Sequence, residues 1–181
     1  MTKGATTKEI LLAQAIQLFW ARGYSNVSVR EVAKAAGVDV ALIARYYGSK
    51  LGLFEATLDT LQPLDPEQFS DGTALVEMLV HMYSTADRSG NTPSPITLIL
   101  VNANDPDVGD LVTRRQYENW QSALEVIIGD KTRAALFFAA LMGFSIVDKY
   151  MHMSGIAQPG TTEYERQLRY CLTSALEYSG A

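Results

Sequence analysis

Residues 28–50 read SVREVAKAAGVDVALIARYYGSK, and the reading of this stretch decides the fold. Ser28 is a strong N-cap with Glu31 three positions on, so each side chain can satisfy a backbone N–H left unpaired at a helix start. Val27 and Val32 are placed to staple that start. Val29, Val32, Ala33 and Ala36 keep the spacing of one buried helix face, and Gly37 follows as a left-handed stop. Val38 and Asp39 restart the chain, with Asp39 as a second N-cap and Val38 and Ile43 as a second staple. The second helix covers about 39–46, with Leu42 and Ile43 on its apolar side. Two short helices joined by a turn containing Gly make a helix-turn-helix. A further helix begins behind them at Ser49.

The other side of the second helix offers Val40, Ala41, Ala44 and Arg45. Small residues there let the backbone approach a groove. Arg45, Tyr46 and Lys50 join a helix N-terminus at Ser49, a combination that attracts phosphate oxygens. The same pattern also suits a three-helix packing unit with ordinary surface charges.

From about Lys8 to Phe54 the chain resembles the DNA-binding domain of the tetracycline-repressor (TetR) family of bacterial transcription regulators. The matching residues are Ile10, Leu11, Ala13, Leu18 and Phe19, then Gly23-Tyr24, Val27-Ser28-Val29-Arg30-Glu31-Val32-Ala33 and Ala36-Gly37-Val38. They continue as Arg45-Tyr46-Tyr47-Gly48-Ser49-Lys50 and Leu53-Phe54. The resemblance covers a little over a quarter of the chain. It implies a DNA-contacting set of Ser28, Arg30, Val40, Ala41, Arg45, Tyr46 and Lys50, and a homodimer reading a palindromic operator. It also implies that the helix after the helix-turn-helix links ligand binding to the spacing of the two heads. The chain departs from the family at Ala44, where a Tyr that reaches the operator is frequent, and at Leu51, where Glu is usual. Base reading then leans on Arg30, Arg45 and apolar contacts from Val40 or Ala41.

The charge distribution agrees with a nucleic-acid-binding head. The 181-residue chain has a formal net charge of −5. Residues 1–54 nevertheless hold seven Lys and Arg against three Asp and Glu, and residues 55–181 hold eight against seventeen. A basic head on an acidic body turns the head toward the phosphate backbone. A single cysteine, Cys171, excludes an internal disulfide and suits a reducing cytoplasm. The N-terminus carries no apolar signal segment, so the cytoplasm is the expected location.

The remainder reads as helices, so the expected fold is all-α. Residues 1–5 read as a tail, with Lys3 as a further phosphate contact or simply solvated. Thr6 and Glu9 cap a first helix to about Ala21, with Ile10, Leu11, Ala15, Leu18 and Phe19 as its apolar stripe. A fourth helix runs from Ser49 to about Leu61, and Pro63 and Pro66 mark a boundary. The division expected is 1–54 for DNA binding, with a linking helix to about 62, and 63–181 for ligand binding and dimerisation. Further helices are expected over 73–86, 96–103, 107–128 and 134–147, with a loop over 87–95. A last helix follows a cap at Thr162 and Glu165. The stretch 134–147 is apolar nearly all round and too short to span a bilayer, which suits a buried helix. Ala135, Ala139 and Gly143 form a flat stripe on it, opposite Phe137, Phe138, Leu141 and Phe144. The last two helices suggest a self-association surface, paired as a four-helix bundle across a two-fold axis. The other reading fills both faces within one chain.

No catalytic constellation, phosphate-binding glycine loop or metal-ligand spacing is visible, so neither enzyme activity nor a cofactor is expected. His81 reads as a core or pocket histidine, and Cys171 as a core residue. Met78, His81, Met82, Leu98, Asn102, Tyr117, Trp120, Phe138 and Met142 are candidates to line a site for an apolar small molecule, with Asn102 or His81 orienting a polar group. They also read as ordinary core. The expected function is a ligand-responsive transcriptional regulator, a repressor released from its operator by that molecule, with no membrane partner. The alternative is a small-molecule binding or sequestering protein with only non-specific DNA affinity.

Overall fold

Capping chemistry sets the helix starts. The computed structural model describes residues 6–86, 93–151 and 153–179. The expected tail with Lys3, most of the expected loop over 87–95, and His152 lie outside the described residues. All regular structure among the described residues is helical. Helix α1 spans Thr7–Arg22, α2 Val29–Ala36, α3 Ala41–Tyr47 and α4 Lys50–Leu58; α5 spans Gly72–Thr85, α6 Pro95–Asn102 and α7 Gly109–Gln116; α8 spans Ser122–Ile128, α9 Lys131–Ile146 and α10 Thr162–Leu176. Thr6 and Glu9 cap α1 reciprocally, as Ser28 and Glu31 cap α2. Gly37 ends α2 with φ 67° and ψ 31°, the left-handed conformation that costs glycine nothing. The start of α10 is capped by Thr161, one residue before the expected position, because its hydroxyl accepts the Tyr164 N–H.

Backbone contacts divide the chain into two compact units. The first takes the described residues within Met1–Gln62 and Asn91–Gln116, and the second those within Pro63–Gly90 and Tyr117–Ala181. The expected boundary near residue 63 is therefore crossed a second time. Helices α6 and α7, expected in the ligand-binding part, pack with α1–α4.

The first unit closes around Leu11, Ala15, Phe19, Trp20, Val32, Ile43, Leu53, Phe54 and Leu58, to which α6, the turn before α7, and α7 add Leu98, Val108 and Val112. Fully burying one such side chain contributes about 1.5–3 kcal/mol. Trp20 is buried and Ile10 exposed, so the inward stripe of α1 is turned from the one expected. The Trp20 indole N–H donates to Thr57 Oγ1 at 3.1 Å, and Thr57 Oγ1 in turn donates to the Phe54 carbonyl. Both buried polar groups are thereby satisfied.

The second unit packs α5, α8, α9 and α10 around Leu75, Leu79, Leu124, Phe137, Leu141, Phe144, Tyr164, Leu168 and Leu172. Two buried polar pairs lie within it. The Tyr83 hydroxyl meets Ser145 Oγ at 2.7 Å, and the Tyr164 hydroxyl donates to Asp148 at 2.9 Å. A π-helical turn, Tyr117–Gln121, interrupts the helix expected over 107–128, and a second, Val147–Met151, extends α9. The extended α9 is 21 residues long and, by length and composition, could cross a bilayer. Its Ala134, Phe137, Leu141 and Phe144 are buried at helical spacing in this core, the pattern of an amphipathic core helix. Ala135, Leu136, Ala139 and Gly143 stand exposed on its other side, so α9 is only half covered, not wholly buried.

Candidate nucleic-acid interface

The sequence around α2 fixes the frame on which α3 is displayed. The Ser28 N–H donates to Glu31 at 2.8 Å, and the Glu31 N–H donates to Ser28 Oγ at 3.2 Å. Arg22, at the end of α1, donates to Glu31 at 3.1 Å and to the Asn26 carbonyl at 3.2 Å. The Ser28 backbone hydrogen bond, then the Ser28 hydroxyl and Arg22, hold the Glu31 carboxyl below its ordinary range. Ser28 and Arg30 are exposed at the start of this helix.

Helix α3 starts two residues later than expected. Asp39 still serves its start, its Oδ1 accepting the Ala41 N–H at 2.7 Å. Ile43 is buried and Leu42 half-buried, while Val40, Ala41, Ala44 and Arg45 are exposed together on the opposite face. Tyr46 is half-buried, with the Arg45 guanidinium 5.9 Å from its ring centre. The outer face of α3 thus combines small apolar side chains with one permanent positive charge.

Behind α3 the chain turns sharply into α4. Ser49 caps α4 by accepting the Gly52 N–H at 3.0 Å. Lys50, the first residue of α4, is half-buried, and its ammonium lies 4.0 Å from the ring centre of Tyr24. The Tyr47 hydroxyl donates to the Lys8 carbonyl at 2.7 Å, tying this turn to α1. The arrangement presents a fixed cation and a capped helix start beside the exposed face of α3. It can form charge-assisted hydrogen bonds to phosphate oxygens and close apolar contacts to base edges.

Residues beyond the sequence-derived set support this surface from below. Tyr24 is buried between Phe19 and Phe54, with ring centres 5.8 Å and 5.2 Å away. Its backbone N–H donates to Asn102 Oδ1 at 2.7 Å, and Asn102 Nδ2 donates to the carbonyls of Phe19 and Leu98. Asp105 accepts the Ser25 N–H at 3.1 Å through one oxygen and caps the start of the following segment through the other. The available signal for Asn102 was its place four residues after Leu98 at the end of an apolar helix, where a buried amide has to find partners.

The nine candidate ligand-lining residues divide between the two units. Leu98 and Asn102 belong to the core of the first unit, and all three hydrogen bonds of the Asn102 side chain bind its own unit. They are thus head-core residues. His81, expected in a core or pocket, is exposed, as are Met82 and Tyr117. Met78, Trp120 and Phe138 pack, half-buried, against the second core, and Met142 is half-buried. A depression of about 330 Å³ in the second unit is lined by Ser122, Glu125, Val126, Gly129, Asp130 and Lys131, none of them in that set. Cys171 is half-buried, and burial pushes its thiol up, away from a reactive thiolate. Among the described residues no group of three His, Cys, Asp or Glu is arranged to hold a metal ion.

Comparison with known proteins places the head. Residues 11–57 match the family model described as bacterial regulatory proteins, tetR family. A stretch of 50 residues is 46% identical to the probable HTH-type transcriptional regulator YttP of Bacillus subtilis (strain 168). That match covers 28% of this chain and 24% of the relative's length, about a quarter of each. Solved structures share the fold along nearly the whole chain. HlyIIR, a hemolysin II transcriptional regulator, is 17% identical with a TM-score of 0.63, covering 92% of this chain and 97% of that one. AmtR of Mycobacterium smegmatis is 19% identical with a TM-score of 0.58, covering 98% and 89%. The stretch 11–57 is thus similar in sequence to the helix-turn-helix head of the tetR family of bacterial regulatory proteins, and the remainder is similar to solved regulators in fold.

Proposed function

We propose that the protein is a transcriptional repressor that binds a palindromic DNA operator as a cytoplasmic homodimer and is released by a small molecule held in its second unit. The observation that carries the DNA-binding part is the exposed row of the N-cap Val40 with Ala41, Ala44 and Arg45 of α3, followed by Lys50 at the start of α4. Ser28, Arg30 and Tyr46 complete the contact set. Ala44 carries no hydrogen-bonding group, so base reading falls to the arginines and to apolar contact with thymine methyl groups.

The homodimer reading is supported by the exposed side of α9 and its neighbour α10, whose Tyr170 is 74% exposed. Two copies joined there would present two heads to half-sites one or more helical turns apart, about 34–36 Å for one turn. The effector reading is supported by the half-buried Met78, Trp120, Phe138 and Met142, adaptable side chains around the second core. Release requires that the small molecule bind the DNA-incompetent state more tightly than the DNA-bound one.

Fluorescence anisotropy with duplex DNA from upstream of the protein's own gene, against a scrambled duplex at two salt concentrations, tests this reading. Binding that survives competitor DNA supports a sequence-specific regulator, and added effector candidates are then scored by loss of signal. Weak binding, equal on both duplexes and lost with salt, leaves only phosphate attraction and favours a sequestering protein.

A further inference from the structure

We propose that Tyr24 is a positioning residue for Lys50, its aromatic face holding the lysine ammonium where it meets a DNA phosphate. This rests on the reading of Lys50 as a phosphate ligand given above.

Lys50 Nζ stands 4.0 Å from the Tyr24 ring centre, well inside the roughly 6 Å over which a ring face attracts a cation. A lysine free in solvent spreads over many rotamers, and a phosphate contact must restrict them at an entropic cost. A lysine already resting on an aromatic face has lost part of that freedom, so the contact costs less.

The ring itself is held from three directions. Phe54 meets it at 5.2 Å with planes at 67°, and Phe19 at 5.8 Å. Its backbone N–H is fixed by the buried amide of Asn102. Lys50 and Phe54 lie four residues apart on α4, hence on one helix face, so both address the same ring. Burial first, then the charges of Asp107 and Asp105, push the Tyr24 phenol above its ordinary value, so the ring meets the cation as a neutral phenol. Neither Phe19 nor Phe54 needs Lys50 for this packing. The cation is therefore a feature added at the surface of an aromatic cluster that is complete without it.

The test uses the full chain and a fluorescein-labelled duplex of about thirty base pairs at low salt, where phosphate contacts dominate binding. Tyr24→Phe keeps the ring face and is expected to bind like the parent. Incorporating pentafluorophenylalanine at position 24 keeps the ring's shape but depletes its face of electron density. It is expected to weaken DNA binding about three- to tenfold. Lys50→Ala is expected to weaken binding and lower the salt slope by about 0.9. In the Lys50→Ala background the fluorinated ring is expected to change nothing further. Thermal melting of each variant separates this effect from loss of folding.

If Lys50→Ala weakens binding but the fluorinated ring binds as tightly as Phe, or loses affinity equally with and without Lys50, the positioning role is overturned while the phosphate contact stands. If Lys50→Ala leaves affinity and salt slope unchanged, the phosphate reading of Lys50 fails and takes the inference with it.

Discussion

Asn102 accepts the backbone N–H of Tyr24 at 2.7 Å, joining the end of α6 to the turn between α1 and α2 across 78 residues of sequence. The amide is fully buried, and its nitrogen serves the Phe19 and Leu98 carbonyls. Replacing it by Leu removes the acceptor and strands a buried N–H, whose desolvation is then uncompensated. Asn102→Leu is expected to destabilise the first unit by about 2–4 kcal/mol. Urea denaturation checks this; a change below about 0.5 kcal/mol would assign the N–H another partner.

Two glycines of the head should respond very differently to alanine. A Cβ at Gly52 would stand 2.1 Å from the Tyr47 carbonyl oxygen, a backbone atom that cannot swing aside. Gly52→Ala is expected to break the turn into α4 and cost about 3 kcal/mol or more. A Cβ at Gly37 meets nothing within 4 Å, and only its φ of 67° opposes the change. Gly37→Ala is expected to cost about 1 kcal/mol. Equal melting temperatures for the two variants would contradict the geometry of the α3–α4 turn.

Acid should loosen the head through its capping carboxylates. The Ser28 backbone N–H bond chiefly lowers the Glu31 carboxyl from 4.5, and the Thr6 backbone N–H bond chiefly lowers Glu9 from the same value. A depressed folded-state value means the unfolded chain binds protons more readily. The stabilisation is therefore fully present above 4.5 and lost as pH falls through the lower folded values. The urea midpoint is expected to drop between about pH 5.5 and pH 3. The double variant Glu9→Gln, Glu31→Gln keeps the capping geometry without the charge and should drop less over that interval; an identical drop would place the acid sensitivity elsewhere.

The parts of the structure that local chemistry decides were legible in the sequence. Ser28 with Glu31, Thr6 with Glu9, and Gly37 act within four residues of themselves, and each stands where the sequence places it. The exposed row on α3 followed from the same short-range periodicity. What escaped was set by distant partners. The rotation of α1 depends on Trp20 finding Thr57, 37 residues away. The assignment of α6 depends on Asn102 finding Tyr24, and no spacing rule connects those positions. Leu98 and Asn102 looked like lining for a ligand because an apolar helix with one amide suits a pocket and a domain core equally well. The π-helical turns at 117–121 and 147–151 carry no Gly or Pro that would announce them.

Gly143 offers a prediction in which protomer and dimer move in opposite directions. It lies in α9 on the exposed stripe with Ala135 and Ala139, and a Cβ there would meet nothing within 4 Å. Within one protomer, Gly143→Ala removes backbone freedom from the unfolded chain and is expected to stabilise by about 0.5–1 kcal/mol. If this stripe is where a second copy packs, the added methyl separates two closely approaching helices and the dimer dissociation constant should rise about tenfold, a loss of about 1.4 kcal/mol. Ala139→Glu on the same stripe should leave the protomer folded and abolish the dimer, since an unpaired carboxylate would be buried. Sedimentation equilibrium reads the association and urea denaturation below the dissociation constant reads the protomer. A protomer stabilised by Gly143→Ala with unchanged association would move the interface off α9, because a packed stripe of small residues cannot accept a methyl group without separating.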